Sequence, residues 1–151
     1  MIHVKPAELP NCGSVERLFR GLIADDVPAI RQIVGIALQK HGLLTLHAAD
    51  GLDAWERLQT ESVDIVITDV EMPRWSGVDL LNRLRSCSNE RLRKLPVIVL
   101  TSLDRPKLVE YIRGFENTYF LRKPVQLRQI DVMLGLIETS RWLRLQRESN
   151  N

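Results

Sequence analysis

Residues 63–73 read VDIVITDVEMP, and they give the strongest indication of the fold in the sequence. Residues 63–68 form a mostly apolar run of strand length, rich in Val, Ile and Thr, so they predict a β-strand. The strand ends in Asp69, and the chain then passes through Glu71 to Pro73. An acid therefore stands where a predicted strand gives way to a loop, and the residues that end the other strands become important.

Four similar runs and five helical patterns flank or follow this strand. The other predicted strands cover residues 18–24, 43–48, 97–101 and 119–121. The clearest helical pattern has apolar residues on one face, with Asp26 as a candidate N-cap, Pro28 in the first turn and Gly42 after its end. Its apolar residues are Ile30, Ile33, Val34, Ala37 and Leu38. Weaker helical patterns cover residues 52–59, 78–85, 106–113 and 127 onward.

The order of these elements predicts the fold class. Each strand is followed by a helix, so the connections are right-handed crossovers and the sheet is mostly parallel, with helices on both faces. We therefore expect an α/β fold with a doubly wound sheet of five parallel strands. In such sheets ligands bind beyond the carboxyl ends of the strands.

Size and composition limit the remaining possibilities. The chain has 151 residues, of which 44% are hydrophobic, enough for one core without a metal or disulfide. Its 21 basic and 19 acidic residues give a net charge of +2, unlike a disordered acidic tail or a basic nucleic-acid binder. Cys12 and Cys87 lie far apart, which argues against a zinc site or a disulfide framework. No apolar run is long enough to span a bilayer, so we expect a soluble cytoplasmic protein.

Acids end two of the predicted strands. Asp25 and Asp26 follow the first strand, where a nucleotide-binding fold would have glycines, and Asp69 ends the third. Neighbouring carboxylates raise each other's cost of ionisation unless a cation neutralises them. Oxygen ligands with room for water suit magnesium, so the sequence predicts a divalent-metal site.

Two hydroxyl side chains follow the fourth strand, and a lysine follows the fifth. Thr101 and Ser102 follow the fourth strand, and Lys123-Pro124 follows the fifth. Each of these residues has an ordinary explanation by itself, such as Asp26 as a helix cap. Acid, acid, hydroxyl and ammonium at the ends of strands one, three, four and five form a combination that chance seldom supplies.

With these residues the chain resembles the receiver domain of bacterial two-component response regulators, of the CheY-like, single-domain kind, over about residues 19–138. The motifs that carry the resemblance are Asp25-Asp26, Asp69-Val70-Glu71-Met72-Pro73 with Gly77, Thr101-Ser102 and Lys123-Pro124. The resemblance implies a flavodoxin-like strand order, 2-1-3-4-5. It also implies that Asp69 forms an aspartyl phosphate, taking the phosphoryl group from a sensor histidine kinase or a phosphotransfer protein.

The resemblance also implies a role for each residue around Asp69. Asp26 and Asp69 bind Mg²⁺ (or Mn²⁺) directly, the backbone carbonyl of Glu71 adds a ligand, and Asp25 acts through water. Lys123 pairs with Asp69 before the transfer and with a phosphoryl oxygen after it, and its peptide bond to Pro124 is a candidate cis bond.

The resemblance further implies a switch that follows from phosphorylation. The phosphoryl group draws in the Thr101 hydroxyl and the Ser102 amide, and the aromatic residue Phe120 turns inward. The surface of the predicted fourth helix, fifth strand and fifth helix then changes, which alters the binding of an unknown downstream protein. The same face is the expected contact if the monomer forms a weak homodimer.

Some positions depart from the usual family pattern. Phe120 stands where tyrosine is common, and the adjacent Tyr119 is expected on the other face of the sheet. Glu71 and Leu103 occupy positions that tune the attack of water on the phosphoryl group. Trp75 is expected near the metal.

Two other functions remain open. A magnesium-dependent phosphohydrolase on a similar fold could use Asp69 and Glu71, although the chain lacks a second Asp-x-Asp pair. A receiver-like scaffold could bind partners without phosphorylation. In the preferred interpretation the chain is not an enzyme beyond its own phosphorylation and dephosphorylation.

The expected domain organisation has three parts. Residues 1–17 form a lead-in that is expected to be flexible, residues 18–140 form the receiver domain, and residues 141–151 extend the last helix. The basic extension is either an ordinary helix end or a docking segment. We expect no output domain, no DNA-binding domain and no membrane segment, and the sequence identifies neither the kinase nor the target.

Overall fold

The computed structural model describes residues 19–102 and 104–150, and only the backbone of residue 139 and residues 141–149. The expected lead-in, residues 1–17, and Leu103 lie outside the described residues. Within the described part of the chain, no helix combines the length and the apolar character needed to cross a membrane.

Five parallel strands form one sheet in the order β2-β1-β3-β4-β5, which confirms the predicted fold class. The strands are β1 (Arg20–Ala24), β2 (Leu44–Ala48), β3 (Ile65–Asp69), β4 (Val97–Thr101) and β5 (Thr118–Arg122). Their bounds differ from the sequence prediction by one or two residues at most within the described chain. Every residue of β3 and β4 is buried, as expected for central strands of a parallel sheet covered by helices.

Six helices connect the strands or follow them in the described chain. They are α1 (Pro28–Lys40), α2 (Gly51–Thr60), α3 (Gly77–Ser86), α4 (Glu90–Arg93), α5 (Pro106–Arg113) and α6 (Leu127–Ser149). The single turn of α4 was not predicted, because it is too short to show helical periodicity. Asn89 caps it by accepting a hydrogen bond from the Leu92 amide at 3.2 Å. The helix predicted as the fourth is therefore α5, and the one predicted as the fifth is α6.

The N-terminus of α1 corrects one prediction. Asp26 is not the N-cap; Val27 occupies that position and supplies no side-chain hydrogen bond. The reason is Pro28 at the start of the helix, because a proline disfavours helical backbone in the residue before it. Val27 is accordingly extended, with φ −96° and ψ 111°. The Asp26 side chain is left exposed beyond the end of the sheet.

Two hydrophobic layers cover the two faces of the sheet. One layer joins the sheet to α2, α3 and α5, with Leu58, Leu81 and Ile112 among its buried residues. The other joins the sheet to α1 and α6. Phe120 packs against the first layer and Tyr119 against the second, so these neighbours lie on opposite faces as expected.

Arg85 ties α3 to the opposite end of the sheet from the acids. Its guanidinium donates to the carbonyl oxygens of Arg93 and Asn117 at 3.0 and 3.1 Å, and to the Thr118 hydroxyl at 3.0 Å. Burial lowers the pKa of Arg85, and Cys87 and Glu116 oppose that shift. The side chain thus links α3, the end of α4 and the beginning of β5.

Candidate functional site

The carboxyl ends of four strands bring the predicted site residues to one edge of the sheet. In the pairing register Ala24 lies beside Thr68, Asp69 beside Leu100, and Thr101 beside Arg122. Asp25 therefore follows β1 next to the end of β3, and Lys123 follows β5 next to the end of β4. The Lys123 amide donates to the Thr101 carbonyl at 2.8 Å, and the Lys123-Pro124 peptide bond is cis.

Three carboxylates converge at this edge. Asp25, Asp26 and Asp69 each offer an oxygen within 4.8 Å of the others, and no other such group of three potential ligands occurs among the described residues. Asp25 and Asp69 are buried, whereas Asp26 is exposed. The Asp25 Oδ2 atom is buried without a hydrogen-bond partner. The three carboxylates together offer the oxygen ligands that a divalent cation prefers, directly or through water.

Lys123 supplies the positive charge of the cluster. Its Nζ lies 3.0 Å from Asp69 Oδ1 and 3.5 Å from Asp25 Oδ2. The lysine side chain is 16% exposed, so solvent screens these contacts less than it would on the surface. One ammonium group thus faces two buried acids.

Burial dominates the electrostatics of Asp25. It raises the pKa of the carboxyl, while the hydrogen bond from the Val27 amide and the charge of Lys123 lower it. The charges of Asp69 and Asp26 raise it further, and the net result is a raised pKa. A bound cation would favour the ionised form of this group.

The other predicted residues lie around this cluster with varied exposure. Thr101 is buried at the end of β4 and Ser102 is exposed beyond it. Phe120 is half-buried, and the Arg113 guanidinium lies 4.9 Å from the centre of its ring. Glu71 is exposed, and its carboxylate lies 3.7 Å from the guanidinium of Arg105.

Two arginines at this edge were missed in the sequence. Arg31 of α1 donates a hydrogen bond to the backbone carbonyl of Asp25, and Arg105 pairs with Glu71. Arg31 could have been found, because it follows Asp25 by six residues and lies in the early part of a helix that begins at this edge. Arg105 offered no such signal, because its contact joins two separate loops.

Gly77 lets the start of α3 lie against the backbone of Asp69. Its amide donates to the Val70 carbonyl at 2.8 Å. A Cβ at this position would clash with the Asp69 carbonyl oxygen and lie 3.2 Å from Thr68 Oγ1. The start of α3 can approach Asp69 this closely only because residue 77 has no side chain.

A family model for the response regulator receiver domain matches residues 22–134. The chain belongs to this family. The match confirms the resemblance, and it covers the last three residues of β1, the other four strands and every site residue discussed here. Receiver domains are signalling proteins and not classical enzymes, and the family membership favours neither the phosphohydrolase nor the unphosphorylated scaffold.

Individual relatives support the same assignment. The receiver domain is 30% identical to the chemotaxis protein CheY1 of Helicobacter pylori, over 76% of this chain and 95% of the relative. It is 36% identical to CheY-3 of Vibrio cholerae, over 67% of this chain and 78% of the relative. The high-resolution structure of the chemotaxis response regulator CheY4 of Vibrio cholerae has a TM-score of 0.71 at 27% identity, and the alignment covers 80% of this chain and 99% of that one.

Other curated relatives are much longer than the matching region. The chain spans only 11% to 40% of the length of three of them, which are a sensor kinase/phosphatase, a gliding motility regulator and a response regulator. The similarity to these three proteins therefore covers less than half of each of them.

Proposed function

We propose that this receiver domain accepts a phosphoryl group on Asp69 and acts as a phosphorylation-activated switch in a two-component system or phosphorelay. The observation that carries this proposal is the buried Asp69 carboxylate, which lies 3.0 Å from the Lys123 ammonium and within 4.8 Å of the ligand atoms of Asp25 and Asp26. A sensor histidine kinase or a phosphotransfer protein would supply the phosphoryl group from a phosphohistidine.

A divalent cation, Mg²⁺ or Mn²⁺, fits the acidic cluster. Asp26 and Asp69 would hold it directly, with the backbone carbonyl of Glu71 as a further ligand and Asp25 acting through water. When bound, the cation neutralises charge on the phosphoryl oxygens. The chemistry of the donor set supports the fit, because the three side chains offer oxygen ligands alone.

The residues of the chain have separate tasks in the transfer. The Asp69 oxygen forms the new bond to phosphorus as the bond from phosphorus to the donor nitrogen breaks, and positioning provides most of the catalysis. Lys123 stabilises the charge of the phosphoryl oxygens, since its ammonium already lies against Asp69. In this way the receiver domain promotes its own phosphorylation without turning over another substrate.

The switch would follow from new contacts with the phosphoryl group. The Thr101 hydroxyl and the Ser102 amide are the proposed donors to its oxygens, and their movement gives Phe120 room to turn inward. Phe120 is half-buried on β5 beside Arg113 of α5, so its movement would change the face made by α5, β5 and α6. A downstream protein would bind that face, which is also the proposed site of weak homodimer contact.

Mass spectrometry tests the proposed function. Incubation with acetyl phosphate and Mg²⁺ should add one phosphoryl group to the intact protein, and removal of the metal with a chelator should prevent the gain. Continuous hydrolysis of an added phosphoester, without a stable adduct, would support the phosphohydrolase instead. No adduct and no turnover would contradict the proposed phosphorylation.

Loss of the Glu71–Arg105 pair is expected to shorten the life of the phosphorylated form. The pair joins the segments that follow β3 and β4, so we expect it to restrict the approach of water to Asp69. An exposed pair contributes at most about 1 kcal/mol, so Glu71→Asn and Arg105→Ala should each speed dephosphorylation about twofold to fivefold. The decay of the phosphorylated mass after removal of the donor measures the rate.

A matched control removes an exposed ion pair elsewhere. Glu90→Gln breaks the contact between the first residue of α4 and Lys94, which follows the helix, and should leave the rate unchanged. Equal lifetimes for Glu71→Asn and the original protein would refute the assigned role of the Glu71–Arg105 pair.

Tryptophan fluorescence is expected to report on the site. Trp75 lies in the loop after Asp69, and its ring centre is 6.4 Å from that of Trp55. Binding of Mg²⁺ or a phosphoryl mimic should change the emission, and Trp75→Phe should remove most of the change. Trp142→Phe, altered in the later part of α6, should retain it. A complete response in the Trp75→Phe variant would show that Trp75 does not sense the site.

A further inference from the structure

The loop between β3 and α3, residues 70–76, is held at two places. We call it the acceptor loop because it follows Asp69. At its base, the Gly77 amide donates to the Val70 carbonyl at 2.8 Å and closes the loop. At its tip, Arg74 and Trp75 contact the beginning of α2. Glu71 lies between the base and the tip.

The tip is anchored by a two-pronged ion pair. Arg74 Nε lies 2.7 Å from Asp50 Oδ2, and a terminal nitrogen of the same guanidinium lies 3.2 Å from Asp50 Oδ1. The Asp50 side chain is 10% exposed, although that of Arg74 is 54% exposed. Two parallel hydrogen bonds fix direction as well as distance, so the pair orients the loop.

A backbone contact reinforces this anchor. The Gly51 amide donates to the Trp75 carbonyl at 3.0 Å. A Cβ on residue 51 would lie 2.6 Å from that carbonyl oxygen, so the approach depends on glycine. The rings of Trp75 and Trp55 meet beside this contact, and Arg83 lies 5.3 Å from the Trp55 ring centre.

The backbone of Arg74 is unusual for a residue with a side chain. Its φ is +60°, in the left-handed region that favours glycine. A left-handed arginine persists where surrounding contacts over-determine the conformation. The Asp50 pair and the Trp75 carbonyl contact are the contacts that do so here.

The charge state of Asp50 supports a permanent pair. Burial raises the pKa of its carboxyl, but the hydrogen bonds from Arg74 and the Asp53 amide outweigh that effect and leave the pKa below its ordinary value. Asp50 is therefore ionised at neutral pH. The same carboxylate caps α2 by accepting from the Asp53 amide at 2.8 Å.

We propose that Asp50 and Arg74 are positioning residues that set the divalent-cation affinity of the site by holding the tip of the acceptor loop. The inference rests on the proposed function, in which the Glu71 carbonyl is a ligand. With the base fixed by Gly77 and the tip fixed by Asp50, the Glu71 carbonyl between them has one orientation. Without the tip anchor, the loop must be ordered again each time the cation binds, and that cost weakens binding.

Arg74→Gly tests this role without adding backbone strain. Glycine suits the positive φ, so the variant removes the guanidinium and leaves the turn allowed. We expect calorimetric titration to show that the variant binds Mg²⁺ about threefold to tenfold more weakly. Loss of a residue that supports a metal ligand typically weakens metal binding about tenfold or more, so the expected effect is at or below the low end of that range. The Mg²⁺ concentration for half-maximal phosphorylation by acetyl phosphate should rise by the same factor, with a nearly unchanged rate at saturating Mg²⁺.

Further variants separate positioning from general stability. Asp50→Asn retains an oxygen that can cap α2 but loses its charge, so it should weaken Mg²⁺ binding as Arg74→Gly does. The double variant should bind Mg²⁺ no more weakly than the single variant with the lower affinity, because both substitutions remove the same interaction. Arg57→Gln breaks contacts with Asp53 of α2 and with Glu61, which follows the helix, and should leave Mg²⁺ affinity unchanged. Arg74→Lys should restore part of the affinity.

The outcomes distinguish this inference from the proposed function. Unchanged Mg²⁺ affinity in Arg74→Gly, with normal phosphorylation of the original protein, would overturn the positioning role alone. Weaker Mg²⁺ binding in the variant would support it even if acetyl phosphate failed to modify the original protein. If the original protein bound no Mg²⁺, both proposals would fail.

Discussion

Replacement of Asp69 by alanine is expected to abolish the gain of a phosphoryl group from acetyl phosphate. The substitution removes the only carboxylate that the proposed mechanism uses as nucleophile, and alanine offers no oxygen in its place. Asp25 and Asp26 remain, but they follow β1 and are assigned to the cation. The intact mass of the variant should therefore stay unchanged under conditions that modify the original protein.

A second aspartate near the site provides the matched control. Asp104 is 92% exposed, and its carboxylate lies 3.7 Å from the Arg122 guanidinium, so Asp104→Ala removes an acid outside the cluster. The Asp104→Ala variant should be phosphorylated normally. The Asp69→Ala variant should also unfold cooperatively, since Lys123 still faces Asp25 at 3.5 Å. A full phosphoryl gain in folded Asp69→Ala would place the acceptor on another residue.

Replacement of Gly77 by alanine is expected to cause a large loss of stability. The new methyl group would collide with the Asp69 carbonyl oxygen, which belongs to the backbone of a buried central strand and cannot move aside as a side chain can. Overpacking of this kind costs about 3 kcal/mol. For a domain of this size the melting temperature should fall by roughly 6 to 12 °C. Calorimetry or circular dichroism measures the change.

A glycine-to-alanine substitution at a position where the new methyl group has room should raise the stability of the domain. A Cβ on Gly135 in α6 meets no atom within 4 Å, so Gly135→Ala should stabilise the domain by about 0.5 to 1 kcal/mol through helix propensity. Comparable stability of Gly77→Ala and the original protein would show that the start of α3 can move away from Asp69. Phosphorylation of the Gly77→Ala variant below its melting temperature would then show whether Asp69 had moved as well.

The strands and the acidic edge could be predicted because both depend on local sequence. Short apolar runs identified each strand, and the acids, hydroxyl and lysine follow those runs directly in the chain. Once strands are parallel, their carboxyl ends must meet at one edge. The strand order came from the family resemblance, since the runs alone do not specify which strands are neighbours.

The contacts between loops could not be predicted in this way. Asp50 and Arg74 lie 24 residues apart, and nothing in either local sequence indicates the other. The N-cap of α1 was assigned to Asp26 because acids commonly cap helices, but the effect of Pro28 on Val27 prevailed. The single turn of α4 gave too few residues for any periodic signal.

The hydrogen bonds of Arg85 have a consequence for how β5 can move. They hold the strand at Thr118, on the side of the sheet remote from Asp69, while Lys123 lies at the other end. Along the rest of its length β5 is held by its pairing with β4 and by helix packing, without a buried guanidinium. If β5 shifts, we therefore expect the displacement to increase toward the end that carries the lysine. Phe120 lies midway along the strand, so we expect a small shift at the acidic edge to reach it as a rotation and not as a translation of the whole strand.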